Sequence, residues 1–505
     1  LIQVTEDGGE TWRKVESFPA VPARTYVSDL ETSLHDADTV YASFANYKMG
    51  DFRPYVLKST DRGRTWTSVT GDLPERGSVH ALAEDHEKAS LLFAGTEFGG
   101  FFTVDSGGQW IQLEGGMPPI AVRDIDIQRR ENDLVLGTFG RGFFILDDYT
   151  PLRLVSREQL EEEALLFPAK KAWMFIPARP LGLPEKSNLG HSFFTAPNPP
   201  FGAIFTYYLK DEIRTRKETR REAEEEIEKE GGDVAYPSWD DLRAEAREEE
   251  PAIVLTVRDG DGNVVRRLTG PVTAGFHRVA WDLRYPAPDP TDLTPSTEYS
   301  PYGSKPTGPL AAPGTYQVSL ARRVDGHLTP LGEPVTFAAE ILGTSSLPAA
   351  DREALLAFQQ KAGRLQRAVL GAVKAAGETR ARLDHLKQAL EDTPAADPAL
   401  AADARALESR LTDIEVALTG DKVVAGYQEP TPMSIVARAS STVSWNSTSA
   451  PTGTQKRAYA IASQQFGEAL GDLRTLVSDL EALEAKAEAA GAPWTPGRVP
   501  TWSPE

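Results

Sequence analysis

The 505-residue sequence predicts a multidomain protein that is mainly β in its first two thirds and α-helical in its last third. Three observations indicate this order. An eight-residue turn recurs three times before residue 111, alternating apolar runs between Pro and Gly turns continue to residue 341, and the apolar period becomes three and four residues beyond residue 350. They predict a partial β-propeller, then a β-sandwich, then a helical bundle.

The recurrent turn reads TEDGGETW at residues 5–12, STDRGRTW at 59–66 and TVDSGGQW at 103–110. The Asp of each copy can accept backbone hydrogen bonds across a tight turn, and the Gly two residues later can supply a positive φ. The final Trp offers a large apolar face to a neighbouring sheet. We therefore expect structural roles for Asp7, Gly9 and Trp12, for Asp61, Gly63 and Trp66, and for Asp105, Gly107 and Trp110.

The repeat extends beyond the turn. Residues 90–108 align with residues 132–150, and a strand-like run precedes each of them, at 78–85 and 121–128. The repeating unit is therefore four strands with a period of roughly 40 to 50 residues, which is typical of a β-propeller blade.

The turn resembles the Asp-box (BNR) repeat of sialidases, xyloglucan-type glycosidases and the sortilin propeller. The whole chain, including LGTFGRGFFILDDYTPLR at 136–153, looks like the C-terminal part of a large bacterial Asp-box propeller protein of the sortilin-like or "glycosyl hydrolase" type. The third copy departs from the motif at Gln109, and a fourth copy retains only Asp147 and Asp148. The resemblance implies blades more firmly than it implies an activity.

Residues 1–150 supply about three and a half such blades, fewer than the ~4 to 8 that close a propeller. An open propeller would expose sheet faces and edges, which soluble proteins avoid. The chain also starts at Leu1 without a Met, as a fragment or a processed product would. We expect the remaining blades upstream of residue 1 or in another chain.

The turns of a β-meander alternate between two rims of a blade. In propellers of this resemblance, the rim opposite the Asp turns carries the binding site. Its candidate residues offer mixed charge and aromatic surface, which suits a peptide or a carbohydrate. They are Tyr47, Lys48, Arg53, Glu97, Phe98 and Arg141.

A catalytic set cannot be assembled from this rim. A glycosidase generally needs two carboxylates about the scissile bond, and a sialidase uses a Tyr nucleophile. Glu97 is the only rim carboxylate in a suggestive setting. We expect a protein that binds a peptide or glycan and is non-catalytic in this part of the chain. One alternative is a sialidase- or xyloglucanase-like glycoside hydrolase with its catalytic residues in upstream blades, and another is a subunit whose propeller a second chain completes.

Residues 151–345 predict an immunoglobulin- or fibronectin-like β-sandwich, because short alternating strands are separated by Pro and Gly turns. A charged helical insert spans 210–250, and a Pro-rich loop spans 286–309. DGDGN at 259–263 is a hairpin turn rather than an EF-hand loop, because Val264 and Gly270 stand where that loop needs Gly and Glu.

Residues 346–505 predict an antiparallel bundle of three helices, at 351–392, 396–420 and 454–491, followed by a tail rich in Trp and Pro. The segment at 434–453 is polar and rich in Ser and Thr, so it is expected to form a loop.

The composition of the chain argues against several classes of partner and cofactor. A net charge of -20 argues against nucleic acid and anionic membranes. The chain has no Cys, no apolar run long enough to span a bilayer, no phosphate-binding Gly-rich loop and no metal-ligand spacing among its His residues. We therefore expect no cofactor and no metal. The absence of Cys fits either the cytosol or a secreted bacterial protein, and the resemblance to large bacterial Asp-box proteins implies a protein that is secreted, periplasmic or on the cell surface.

Overall fold

The computed structural model describes residues 1–177, 192, 194–293, 306–343, 348–443 and 445–502. It is a mixed β and α protein with several sheets and a C-terminal helical region, as the sequence predicts at this level. Residues 294–305 of the expected Pro-rich loop lie outside the described residues.

Four antiparallel sheets follow one another along the first 150 residues, and strand order within each sheet follows the chain. Their strands are β1 (Ile2–Val4) and β2 (Arg13–Val15); β3 (Tyr26–Thr32), β4 (Val40–Asn46), β5 (Asp51–Ser59) and β6 (Thr67–Ser68); β7 (Val79–Glu84), β8 (Leu92–Thr96), β9 (Gly99–Thr103) and β10 (Ile111–Gln112); and β11 (Val122–Gln128), β12 (Asp133–Thr138) and β13 (Phe143–Leu146). The innermost strands contact in sequence, β3 with β7 and β7 with β11, so the sheets stack face against face.

Apolar side chains fill the space between neighbouring sheets. Tyr41 and Val56 of the second sheet pack against Phe101 of the third. On the other face of the third sheet, Phe93 packs in one cluster with Leu134 of the fourth. Because the third sheet is covered on both faces, β7 is buried along its whole length.

Each innermost strand has a β-bulge at the same point of the repeat. The pairing register shifts between Val27 and Asp29, between Val79 and Ala81, and between Val122 and Asp124. Ser28, His80 and Arg123 therefore occupy equivalent bulged positions. A bulge redirects the side chain of the extra residue, and bulges are common beside functional sites.

The three Asp turns share one bonding pattern. The carboxylates of Asp7, Asp61 and Asp105 accept the backbone N–H four residues on, at 2.9, 2.8 and 3.0 Å. Thr11 and Thr65 also donate their hydroxyls to the first two carboxylates, a bond that Gln109 of the third copy does not make. The backbone and side-chain bonds from Thr65 lower the pKa of Asp61 to about 2.

The Trp residues that end these turns differ in burial. Trp110 is buried and donates to the carbonyl of Val69 at 3.2 Å, and Trp66 lies edge-on to Phe18. Trp12 departs from the expected packing on a neighbouring sheet, because it is 55% exposed. Its indole N–H instead bonds within its own turn, to the carbonyl of Gly9.

Two further sheets share one core. The first contains β14 (Ala164–Leu166), β16 (Ala203–Leu209) and β19 (Gly275–Trp281); the second contains β15 (Ala172–Met174), β17 (Ala252–Arg258), β18 (Val264–Gly270), β20 (Gly314–Val324), β21 (His327–Pro330) and β22 (Val335–Ile341). Phe205 and Trp281 of one sheet pack with Tyr316 and Phe337 of the other. Short helices α1 (Pro151–Leu154) and α2 (Arg157–Leu160) precede these sheets, and α3 (Arg216–Lys229) and α4 (Trp239–Arg247) lie within the charged insert.

Three long helices, α5 (Arg352–Glu391), α6 (Pro398–Thr419) and α9 (Gly453–Ala489), pack around one apolar core. Asp351, Asp397 and Thr452 cap their N-termini. The segment between α6 and α9 is not simply a loop, since it contains α7 (Lys422–Gly426) and α8 (Ile435–Ser440). Ile435 and Ala439 of α8 are buried in the helical core, and this burial stabilises a short helix within a Ser/Thr-rich segment that was expected to form a loop. None of the helices described is apolar over enough length to cross a membrane.

Candidate functional site

A polar cluster lies on the rim opposite the Asp turns. It joins Glu97, in the tight turn between β8 and β9, to His80 at the start of β7 and Arg123 at the start of β11. The bulges in β7 and β11 set the positions of the last two residues, so the repeat places side chains from neighbouring sheets together.

The imidazole of His80 is bonded through both nitrogens. Its Nε2 lies 2.8 Å from Oε2 of Glu97, and its Nδ1 lies 3.1 Å from Nη1 of Arg123. A guanidinium can only donate, so Nδ1 accepts and the ring proton lies on Nε2, which donates to Glu97. Burial lowers the pKa of His80 and outweighs the opposing effect of the bond to Glu97, and the neighbouring guanidinium acts in the same direction as burial. His80 is therefore neutral at pH 7.

Glu97 is held through one oxygen. Its Oε2 accepts from His80 and, at 3.4 Å, from Nη2 of Arg123. Oε1 has no hydrogen bond within the described part of the chain, and the side chain is 40% exposed. The carboxylate is thus oriented by two donors and still offers an acceptor to solvent.

Aromatic side chains surround this carboxylate. The ring of Tyr47 lies edge-on to His80 with centroids 6.4 Å apart, and the guanidinium of Arg123 lies 5.4 Å from the ring centroid of Phe139. Phe98 and Phe139 are 51% and 71% exposed. Large exposed aromatic groups concentrated in one area are a more informative feature than a single exposed apolar residue.

The residues expected on this rim differ in their surroundings. Glu97, Phe98 and Tyr47 lie in or beside the polar cluster. Lys48, in the 3₁₀ turn Tyr47–Met49, and Arg141, in the turn between β12 and β13, are exposed and make no hydrogen bond or ion pair with the residues described. Both therefore present a free cation beside the cluster.

Arg53 is exposed like Lys48 and Arg141, but its charge is paired. Its Nε and Nη2 donate to the two carboxylate oxygens of Asp51 at 2.9 and 3.0 Å, so the pair is nearly neutral. Asp51 also accepts from the hydroxyl of Tyr55 at 2.6 Å. The bonds from Arg53 and Tyr55 hold the pKa of Asp51 well below its usual range.

His80 and Arg123 were not identified as site residues from the sequence. An alignment of the inner strands VSDLE, VHALA and VRDID would have placed Ser28, His80 and Arg123 at one repeat position. Chemically varied residues at an equivalent position of a repeat indicate that the position is not needed for packing. This variation was the feature of the sequence that could have identified His80 and Arg123 as candidate site residues.

A second polar cluster lies at the opposite end of β7 and is structural. Asp85 is fully buried and accepts from the hydroxyl of Tyr149 at 2.6 Å and from Nη2 of Arg153 at 2.8 Å. Arg153 is 8% exposed and also donates to Asn132 at 2.9 Å. A ligand has no access to this carboxylate, so the cluster ties α1 to the third and fourth sheets.

The described residues contain no group of three or more His, Asp or Glu side chains that could hold a metal ion. In the DGDGN turn, Asp259 accepts the backbone N–H groups of Asp261 and Asn263 at 3.1 and 2.8 Å. Its carboxylate is therefore used within a hairpin turn between β17 and β18.

No protein family description and no curated protein matches the chain. Among solved structures, it is similar to a GH74 enzyme of Niastella koreensis, with 19% identity over 24% of this chain and 21% of that chain and a TM-score of 0.22. It is also similar to YCF48 bound to D1 peptide, with 17% identity over 29% of this chain and 43% of that one and a TM-score of 0.23. For PorZ, a surface component of the type-IX secretion system of Porphyromonas gingivalis, identity is 13% over 65% of this chain and 40% of that one, with a TM-score of 0.23. The chain thus spans less than half the length of each of these proteins.

Proposed function

We propose that the rim around Glu97 binds a peptide or a glycan, and that this part of the chain is non-catalytic. One observation carries the proposal. A carboxylate that His80 and Arg123 orient through one oxygen leaves its other oxygen available, amid exposed aromatic rings. Such preorganisation lowers the entropic cost of recognising a polar ligand.

Each part of this surface has a role in binding. The faces of Phe98 and Phe139 would stack on a sugar ring or an apolar side chain. Glu97 would accept a hydroxyl or amide N–H, while Lys48 and Arg141 would donate to ligand oxygens. Because the cluster itself carries one carboxylate, one guanidinium and a neutral imidazole, it favours neither strongly acidic nor strongly basic ligands.

A glycoside hydrolase is the alternative. Glycoside hydrolysis generally needs two carboxylates, about 5 to 9.5 Å apart, on either side of the scissile bond, and a sialidase uses a Tyr nucleophile instead. Within the residues described, Glu97 is the only carboxylate bonded to His80 and Arg123. In this alternative the second catalytic group would come from blades outside this chain segment, and binding is the better-supported role.

The four N-terminal sheets belong, in this proposal, to an Asp-box propeller that further blades complete, from upstream sequence or another chain. The support is the outward face of the fourth sheet. Ile145, paired with Val135, is 58% exposed. Phe102, which occupies the equivalent position of the third sheet opposite Phe93, is 8% exposed because the fourth sheet covers it. A further sheet would cover Ile145 in the same way.

The remaining sheets and helices would act as an immunoglobulin-like domain and a three-helix bundle that support the propeller as a platform. The proposed setting is the bacterial exterior: secreted, periplasmic or on the cell surface. The acidic charge and the absence of Cys are compatible with this setting. Peptide and glycan ligands are present at the bacterial exterior.

The test is a glycan array and a peptide library screened with the 505-residue protein, followed by titration calorimetry on any ligand that binds. Glu97→Gln and Phe98→Ala should each weaken the binding of that ligand by about tenfold, since each removes a central contact worth ~1 to 2 kcal/mol. Tyr236→Ala, an exposed aromatic on the charged insert, is the matched control and should change nothing. Turnover of a glycoside instead of saturable binding would favour the hydrolase.

A further inference from the structure

The helical region carries an open groove of about 640 Å³ that the rim site does not involve. It lies between the last turns of α6 and the first half of α9, and residues 432–435, which lead into α8, close one side. The ion pair between Arg410 and Asp479, at 2.7 Å, lies towards the other end. Because residues 413–417 and 465–472 line the same groove, this pair shows that α6 and α9 run antiparallel.

The groove continues a seam that α8 fills only in part. Helix α8 packs against α5, α6 and α9, but it is only six residues long. Beyond its N-terminus the floor is apolar, formed by Ile414 and Ala469 next to Ile435. At the edges, Val416 and Met433 are 38% and 53% exposed. The surface is thus shaped and lined for another helix packing in line with α8.

The walls of the groove are acidic. Asp413, Asp421, Glu468 and Asp472 line it, and the only basic lining residue within the described part of the chain, Arg410, is paired with Asp479. Asp421 caps α7, whereas Asp413 and Asp472 make no hydrogen bond or ion pair with any residue described. Two carboxylates on opposite walls therefore face the groove without a counter-charge.

We propose that this groove binds a basic amphipathic helix of a partner protein. Apolar side chains at i, i+3 and i+4 of the partner would rest on Ile414 and Ala469, as in other helix-in-groove complexes. Lys or Arg side chains on its flanks would pair with Asp413 and Asp472. A second copy of this chain is a poor occupant, because each copy carries a net charge of -20.

The probe is a fluorescently labelled, amphipathic Leu/Lys helical peptide, titrated with the whole protein and followed by anisotropy at low and at physiological ionic strength. Asp413→Asn combined with Asp472→Asn should weaken binding by about tenfold, as two partly exposed charge pairs are lost. Asp403→Asn combined with Glu481→Gln removes the same charge from exposed positions of α6 and α9 outside the groove. This control should stay within about twofold of the unmodified protein.

Met433→Glu adds an independent test at an exposed position, where a charge cannot disturb the core. It should not weaken binding through charge, because another carboxylate would attract the peptide, so a loss of affinity would report the apolar contact alone. Equal weakening by both charge-removing pairs would overturn the proposal, because net charge would then explain binding. Equal binding of a Leu/Glu peptide would also overturn it. So would a concentration-dependent dimer that Met433→Glu dissociates, since the groove would then join copies of this chain.

Discussion

Replacing Arg153 with Met tests how the N-terminal sheets are held to the rest of the chain. The guanidinium donates to Asp85 through Nε at 3.0 Å and Nη2 at 2.8 Å, and its Nη1 lies 2.7 Å from Glu87. Met fills most of the same volume, so the variant removes charge and hydrogen bonds without opening a large cavity. Asp85 would remain fully buried without its cation.

The expected loss follows from these contacts. Removing one partner of a buried ion pair costs ~3 to 5 kcal/mol, because the remaining charge is buried and uncompensated. Asp85 keeps three donors, the hydroxyl of Tyr149 and the backbone N–H groups of Glu87 and Lys88. We therefore expect the lower end, about 3 kcal/mol, which corresponds to a population of the open state roughly a hundredfold larger.

Hydrogen–deuterium exchange resolved to peptides is the suitable assay, because a chain of several domains does not unfold in two states. Peptides from β7 and β8 should exchange about a hundredfold faster in Arg153→Met at pH 7, while peptides from α6 and α9 should not change. Arg130→Met is the control, since Arg130 is 81% exposed and, among the residues described, pairs only with Glu131. It should alter exchange by less than about threefold.

The effect should also depend on pH in a defined direction. Burial opposes ionisation of Asp85, but the bonds from Arg153 and Tyr149 outweigh it and lower its pKa. In the unmodified protein this stabilisation is present above the unfolded value near 3.9 and is lost as pH falls through the lower folded value. In the variant, burial dominates and raises the pKa of Asp85 above its unfolded value, so protonation relieves the penalty as pH falls through that raised pKa. The difference should therefore begin to shrink above the unfolded value near 3.9 and continue to shrink below it. A difference below threefold at pH 7, or one that grows in acid, would refute the reasoning.

Three further predictions concern the turns and the rim. Asp61→Ala should abolish exchange protection of the N–H groups in its own turn and leave the turn of Asp105 intact. In the unmodified protein, the same protection should be lost as pH falls from about 4 through the Asp61 pKa of about 2, because protonated Asp61 no longer accepts these bonds. At pH 7, imidazole ¹⁵N NMR should show the neutral Nε2–H tautomer of His80, because burial lowers the pKa of this residue. Protein stability should fall as pH drops below the unfolded-state pKa of His80, near 6.5. A doubly protonated ring at neutral pH would contradict this prediction. Tyr55 should have a pKa of about 12, because of burial and then of the bond with Asp51, and Tyr55→Phe should remove that transition from an ultraviolet titration.

Much of the local structure could be predicted because short-range interactions determine it. Each Asp turn is closed by bonds that span four residues or fewer, so the Ser/Thr–Asp–Gly spacing was enough to predict the turn. The long helices followed from the apolar period, and α5 begins at Arg352 within a residue of the expected start. Helix α8 was missed because its Ser- and Ala-containing sequence has little period, and its stability comes from burial of Ile435.

The sequence by itself determined the order of β and α regions, the repeating four-strand unit and the turns that close it, because neighbours along the chain make those bonds. The tertiary structure decided which side chains meet. Glu97 reaches His80 and Arg123 because bulges in two separate inner strands turn equivalent residues towards one rim. The pairing of Arg53 with Asp51 also depends on side-chain geometry, and a spacing of two residues alone does not reveal a two-point ion pair. Side-chain convergence depends on sheet register and packing between sheets, and these are set by contacts across the whole domain.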